Sequence, residues 1–344
     1  MGLITRIAGT LLAAGSAGDD GPATDAELSF PEGIAVTVGG GFLIADTGNH
    51  VVRRVSAGGV ITRVAGTTAT AGSAGDDGPA TDARLNVPRG VAVTADGGFL
   101  IADTDNHVVR KVSADGVITR VAGTMGTAGS TGDDGPATDA QLNNPFRVAV
   151  TADGGFLIAD IGNHVVRKVS ADGVITRVAG TTGTAGSAGD DGPATDAQLD
   201  WIMAVAVTAD GGFLTVDWGS QVVRKVSPGG VITRVAGTTA TAGSAGDDGP
   251  ATDAQLNNPW GIAVTAGGGF LIADTGNQVI RQVSSGGVIT RVAGTTGTGG
   301  SVGDDGPATD AQLNSPRAVA VTADGGFLIL DSANQVVRKV QPVD

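Results

Sequence analysis

Short apolar runs follow one another along the whole chain, and each is closed by a cluster of Gly, Asp, Asn or Ser. In the first full unit they are GIAVT at 33–37, FLIAD at 42–46, HVVRRV at 50–55 and VITRVA at 60–65. Runs of this length, rich in Val and Ile and bounded by turn residues, read as β-strands. No stretch carries the three-to-four-residue apolar spacing of a long amphipathic helix. The four runs predict strands A, B, C and D of one antiparallel sheet, joined by tight Gly-containing turns.

That unit recurs. GDDGPATDA begins at Gly18, Gly75, Gly132, Gly189, Gly246 and Gly303, with 57 residues between successive copies and no insertion or deletion. A fixed period of this size points to a propeller or an array. The last unit stops after its third strand, at QVVRKVQPVD. The missing fourth strand lies at the other end of the chain, where GLITRIAGT (2–10) aligns with GVITRVAGT (59–67). The chain is therefore expected to be one domain, 1–344. Its fold is all-β, a six-bladed β-propeller of four-stranded antiparallel blades, closed by the N-terminal strand that completes the last blade. Such closure pairs both chain ends and limits exposed sheet edges.

Asn49-His50-Val51, Asn106-His107-Val108 and Asn163-His164-Val165 resemble the Asn-His-Leu signature of NHL-repeat propellers, and they follow IADTG-type turns as in that family. The His is lost at Ser220-Gln221, Gln278 and Gln335. The resemblance covers nearly the whole chain and implies the six-bladed fold. The family includes scaffolds, lectin-like and protein-binding modules, and enzymes. Lyases that cleave hydroxyglycine peptides and strictosidine-synthase-like condensing enzymes share the architecture, so the fold alone names no function.

Charge and composition narrow the partners. The formal charge is −14, which opposes binding to nucleic-acid phosphates and to anionic membrane surfaces. There is no Cys, hence no disulfide, thiol catalysis or Cys-ligated metal. Residues 1–18 bear a faint likeness to a signal peptide, but their alignment with a repeat strand argues against one. The expectation is a cytoplasmic monomer with no partner among nucleic acids or membranes.

The six copies can be compared with one another, and they disagree in two windows. The first precedes strand A: Ser29-Phe30-Pro31-Glu32-Gly33, Asn86-Val87-Pro88-Arg89-Gly90, Asn143-Asn144-Pro145-Phe146-Arg147, Asp200-Trp201-Ile202-Met203-Ala204, Asn257-Asn258-Pro259-Trp260-Gly261 and Asn314-Ser315-Pro316-Arg317-Ala318. The second is the end of strand B and the turn after it. There most copies read IADTGN, while blade four has Thr215, Trp218 and Ser220, blade three Ile161, and blade six Leu330 and Ser332. Six of the eight Phe are the repeated first residue of strand B, and every other aromatic falls in these windows. Alternating strand direction brings both windows to one face, at the mouth of the central channel. The long segment between strands D and A is expected to wall that mouth.

These features predict one asymmetric pocket for a small apolar or aromatic molecule, since such sites are mostly apolar with few polar anchors. Its lining would be Phe30, Arg89, Phe146, Arg147, Trp201, Met203, Thr215, Trp218, Trp260 and Arg317. Glu32 and Asp200, set on opposite blades, are the candidate acid–base residues, because a carboxyl beside aromatic walls is raised in pKa. The enzymatic reading is a metal-independent lyase, cyclase or condensing reaction without cofactor. The alternative is a non-catalytic propeller binding a small ligand or protein at the same face. Two other readings compete: side chains that merely fill a wide channel, and a multivalent lectin-like site, which would keep its binding residues identical in every blade. The Asp ring (Asp46, Asp103, Asp160, Asp217, Asp274, Asp331) is read as turn-bonding rather than metal-binding. His50, His107 and His164 start strand C away from the channel and give little support for zinc. The Asp-Asp-Gly of GDDGPATDA lacks calcium-loop spacing, and reads as a turn into a short PATDAQL helix.

Overall fold

The computed structural model describes residues 2–342. Among them are six antiparallel sheets, each a blade, whose inner strands contact one another around a central channel. In blade one the strands are A (Gly33–Val36), B (Phe42–Asp46), C (Val51–Val55) and D (Val60–Ala65). The ring closes as the repeat requires. Leu3–Ala8 is strand D of blade six and pairs antiparallel with strand C there, Val336–Val340.

Each blade has five strands rather than the expected four. The fifth is the two-residue Gly-Pro of GDDGPATDA. Gly21–Pro22 pairs with the start of strand D of its own blade, Gly21 opposite Ile61 and Pro22 opposite Val60. Pro cannot donate to a further neighbour, so this strand ends the sheet and blunts its edge.

The D-to-A segment packs on the B–C turns of two neighbouring blades, where the Leu12 amide donates to Asn334 O and the Asn49 side chain donates to Gly15 O. Its middle bridges those blades: Ala23 O accepts the Gly9 amide at the end of one strand D, and the Ala23 amide donates to Gly59 O in the turn before the next. Ala23, Ala26 and Leu28 are fully buried there among Ala8, Ile34, Ile44, Ile61 and Leu330, so the segment wedges adjacent blades apart. Wedges of this kind let flat sheets diverge radially while the core between them stays filled. The expected PATDAQL helix is a single 3₁₀ turn in blade one (Ala23–Asp25) and a plain turn elsewhere.

A buried polar hub repeats in every blade. The Asp46 carboxylate accepts the Ser29 amide at 2.7 Å and the Asn49 side-chain amide at 2.8 Å, with the Arg53 guanidinium at 3.4 Å. Arg53 also donates to Glu27 O and to Asp19, the first Asp of GDDG. Arg53 and its five counterparts are at most 1% exposed. The Asp ring thus ties the B–C turn to the wedge segment, and the Asp-Asp-Gly holds an arginine.

Candidate functional site

The fourth position of the first variable window forms a ring at the channel mouth, read in blade order as Glu32, Arg89, Phe146, Met203, Trp260 and Arg317. Blades six, one and two are neighbours, so Arg317, Glu32 and Arg89 make a charged half. Blades three to five make an apolar half. The Glu32 carboxylate is 4% exposed and is gripped from both sides: Arg89 Nη1 donates to Oε2 at 2.8 Å, and Arg317 Nη1 donates to Oε1. The Arg89 guanidinium lies 5.0 Å from the Phe146 ring centre and that of Arg317 lies 4.6 Å from Trp260, both within cation–π range. The rings of Phe146 and Trp260 pack together at 5.8 Å.

Arg147 pins this arrangement. It stands where blades one, two and five have Gly, and at Gly33 even a Cβ would press within 2.4 Å of Arg89 O. From blade three its guanidinium reaches back along the ring to donate to Arg89 O and Glu32 O. It is 9% exposed and lines a small cavity of about 80 Å³ in the channel. Burial lowers its pKa to about 10 despite the nearby Glu32, with Arg89 and Arg317 adding repulsion.

The second window explains the apolar half. In four blades a hydroxyl after strand B donates to the next blade's Pro carbonyl, as from Thr47 to Pro88, Thr104 to Pro145, Thr275 to Pro316 and Ser332 to Pro31. Blades three and four carry Ile161 and Trp218 instead. These pack with Phe146, Met203 and Trp260 in one hydrophobic cluster. An inter-blade hydrogen bond is thereby exchanged for apolar contact, only where the ring itself is apolar.

Among the described residues the mouth is largely packed. Glu32, Phe146, Met203 and Arg147 are buried and fill the opening, while Arg89 and Arg317 keep 28% of their side chains exposed at its surface. A cavity of about 1270 Å³ opens on the opposite face, where Val36, Val93, Val150, Val207 and Val264 end the A strands. Asp200 does not face Glu32 across the channel. It sits in the slot that Asn143 and Asn257 take in their own blades, against Gly219 of the B–C turn, with Oδ1 4.0 Å from His164 Nδ1. Thr215 lies fully buried within strand B and does not line the mouth.

Phe30 and Trp201 do lie at the surface, 59% and 50% exposed, on opposite blades. Both hold left-handed backbone, φ 43° and 57°, as does Val87 at 53°, at a position where other blades place Asn or Ser. That conformation costs an ordinary side chain about 1–2 kcal/mol. Trp201 meets Trp218 edge-on at 6.4 Å.

The His of the Asn-His-Val motif serves this same loop. His50 Nδ1 accepts the amide of Val87 in the next blade, and His107 accepts that of Asn144. Gln221, Gln278 and Gln335 accept the equivalent amides of Asn258, Ser315 and Phe30. His and Gln therefore interchange because each presents one acceptor at the same reach. His164 Nδ1 is buried without a partner beside Asp200.

Known proteins carry the same signals. The NHL repeat family model matches residues 28–54 and 256–282, and the Teneurin NHL domain model matches residues 68–131. Teneurin-4 of Mus musculus is 28% identical over 283 residues, covering 72% of this chain and 10% of that protein, so the chain spans about a tenth of that relative's length. Among solved structures, an auxiliary nutrient binding protein from Bacteroides ovatus aligns with a TM-score of 0.71 at 16% identity, over 99% of this chain and 77% of that one. A virginiamycin B lyase from Staphylococcus aureus aligns with a TM-score of 0.53 at 12% identity, over 91% and 95%. At these identities the structural likeness is one of fold. Repeat motif, family models and blade architecture agree: the chain is an NHL-repeat six-bladed β-propeller.

Proposed function

We propose that this propeller is a recognition module that binds its ligand or partner at the variable mouth, without turning it over. One observation carries the reading. In a scaffold of near-identical copies, the aromatic departures gather in the two windows at the mouth, and two of them, Phe30 and Trp201, keep large apolar side chains in water on strained left-handed backbone. Neither burial nor backbone preference rewards that choice, and strain of this kind collects at functional sites.

Acid–base turnover finds less support. Glu32 is committed to two arginines rather than left free to exchange a proton, and Asp200 serves a turn. The match to about a tenth of a Teneurin suits a propeller that serves as one part of a larger protein.

The test uses the tryptophans, all three of which belong to this face. A library of metabolites is screened by Trp emission and thermal shift against the wild-type chain and against Trp201→Ala. Hits that shift emission, and that are weakened by Trp201→Ala, are expected. Hits that stabilise the protein with no emission change, as ligands of the opposite funnel would, count against the mouth. Measured chemical conversion of a hit would count against a purely binding role.

A further inference from the structure

We propose that the mouth takes a small organic carboxylate, seated against the solvent-side edges of the Arg89 and Arg317 guanidinium groups beside the Phe146–Trp260 wall. This rests on the recognition reading and names its ligand class.

Charge gives the first argument. The cluster holds three guanidinium groups and one carboxylate, on a chain whose formal charge is −14. Glu32 spends one oxygen on Arg89 and the other on Arg317, and Arg147 donates to the neutral carbonyls of Arg89, Phe146 and Glu32. Two positive charges are left without a counter-charge in partly desolvated surroundings, which is costly until an anion arrives.

Hydrogen-bonding capacity gives the second. Arg89 Nε, Arg317 Nε, Trp218 Nε1 and Trp260 Nε1 are all buried without a protein partner. All four are donors. These atoms lie beneath the surface; what the mouth presents to solvent are the partly exposed guanidinium edges of Arg89 and Arg317, also donors only, and such a surface calls for a ligand that accepts.

Geometry sets the class. Guanidinium groups held over Phe146 and Trp260 and anchored on Glu32 are fixed in place before binding, and a planar fork matches a planar carboxylate in two parallel bonds. Beside them Trp260 and Trp218 are only partly buried and Trp201 is exposed, surfaces that reward an organic body and give an inorganic anion nothing.

Benzoate, benzamide and inorganic phosphate, titrated separately at constant ionic strength while Trp emission is read, decide the point. Benzoate is expected to bind saturably and at least about tenfold more tightly than the other two, since losing charge or the apolar body costs that much. The double variant Arg89→Gln/Arg317→Gln should weaken benzoate by a similar factor, and Arg84→Gln, in an exposed loop, should leave it unchanged. Glu32→Gln frees both guanidinium groups and should tighten benzoate, a gain that misfolding cannot mimic. Equal binding of benzamide, preference for phosphate, or weakening by Glu32→Gln overturns the proposal. If neutral library hits perturb the tryptophans and benzoate does not, recognition at the mouth stands and the carboxylate class falls. If no compound perturbs them, both fall.

Discussion

His50 shows how one side chain can be legible in sequence and still opaque in purpose. Its replacement by Gln in three blades excluded any chemistry peculiar to imidazole. Its task, accepting the Val87 amide, joins residues 37 positions apart on different blades, and no local pattern announces that. His50→Gln should therefore leave stability within about 0.5 kcal/mol, the range of neutral substitutions. His50→Ala should cost about 1 kcal/mol, the usual price of one lost hydrogen bond. Paired thermal or urea denaturation of the two variants distinguishes them, and equal destabilisation would deny the acceptor role. Arg147 is the opposite case. Its departure from Gly or Ala in the other copies was visible, but not that its guanidinium would close over the channel.

Among the elements, strands A to D were legible because their apolar runs repeat with the turns. The two-residue fifth strand was not, since Gly-Pro has no strand signature and is recruited only by a neighbouring edge. The packing of the wedge segment was hidden for a related reason. Its GDDGPATDA stretch reads as a turn into a short helix, whereas in the fold Ala23 and Ala26 are buried in the core between two blades. The N-terminal strand carries the sharpest prediction at this scale. Deleting residues 2–8 removes fully buried Ile4 and Ala8, uncovers strand C of blade six, and strips Gly306–Pro307 of its partner. Loss of that burial and pairing should cost several kcal/mol, and the open edge should drive self-association. A lower melting temperature with concentration-dependent mass in light scattering is expected. A truncated chain that stays monomeric with unchanged melting would show that the ring does not depend on this strand.

For the whole molecule, sixfold repetition multiplies one titration. Burial raises Asp46, Asp274 and Asp331 to about 6, and Asp103, Asp160 and Asp217 to about 7, against the pull of Asn or Ser, backbone amides and Arg. The folded state then keeps protons that the unfolded chain has already released above its ordinary value near 3.8. Stability from these groups is complete below that value and is lost as pH rises through 6 to 7. His50, lowered by burial, works in the other direction as a single group. Asp96, Asp153, Asp210 and Asp324 are held well below the usual range, chiefly by their lysine partners, and act only in strong acid. The melting temperature should therefore fall between pH 5 and pH 8. A melting temperature that does not fall across that interval would mean that the buried Asp–Arg hubs stay ionised throughout.

The sequence by itself determined the ring: the number of blades, their strand order, the closure by the N-terminal strand and the face on which the copies differ. Those properties follow from a fixed period and from apolar patterning, which are local and repeat six times. Only the tertiary structure decided what the differing residues do. Glu32, Arg89, Arg147 and Arg317 come from four blades, and whether they frame an open pocket or lock into a plug depends on the radius of the ring and on which side chains reach its axis. Distances of that kind are set by packing between blades, and no single repeat contains them.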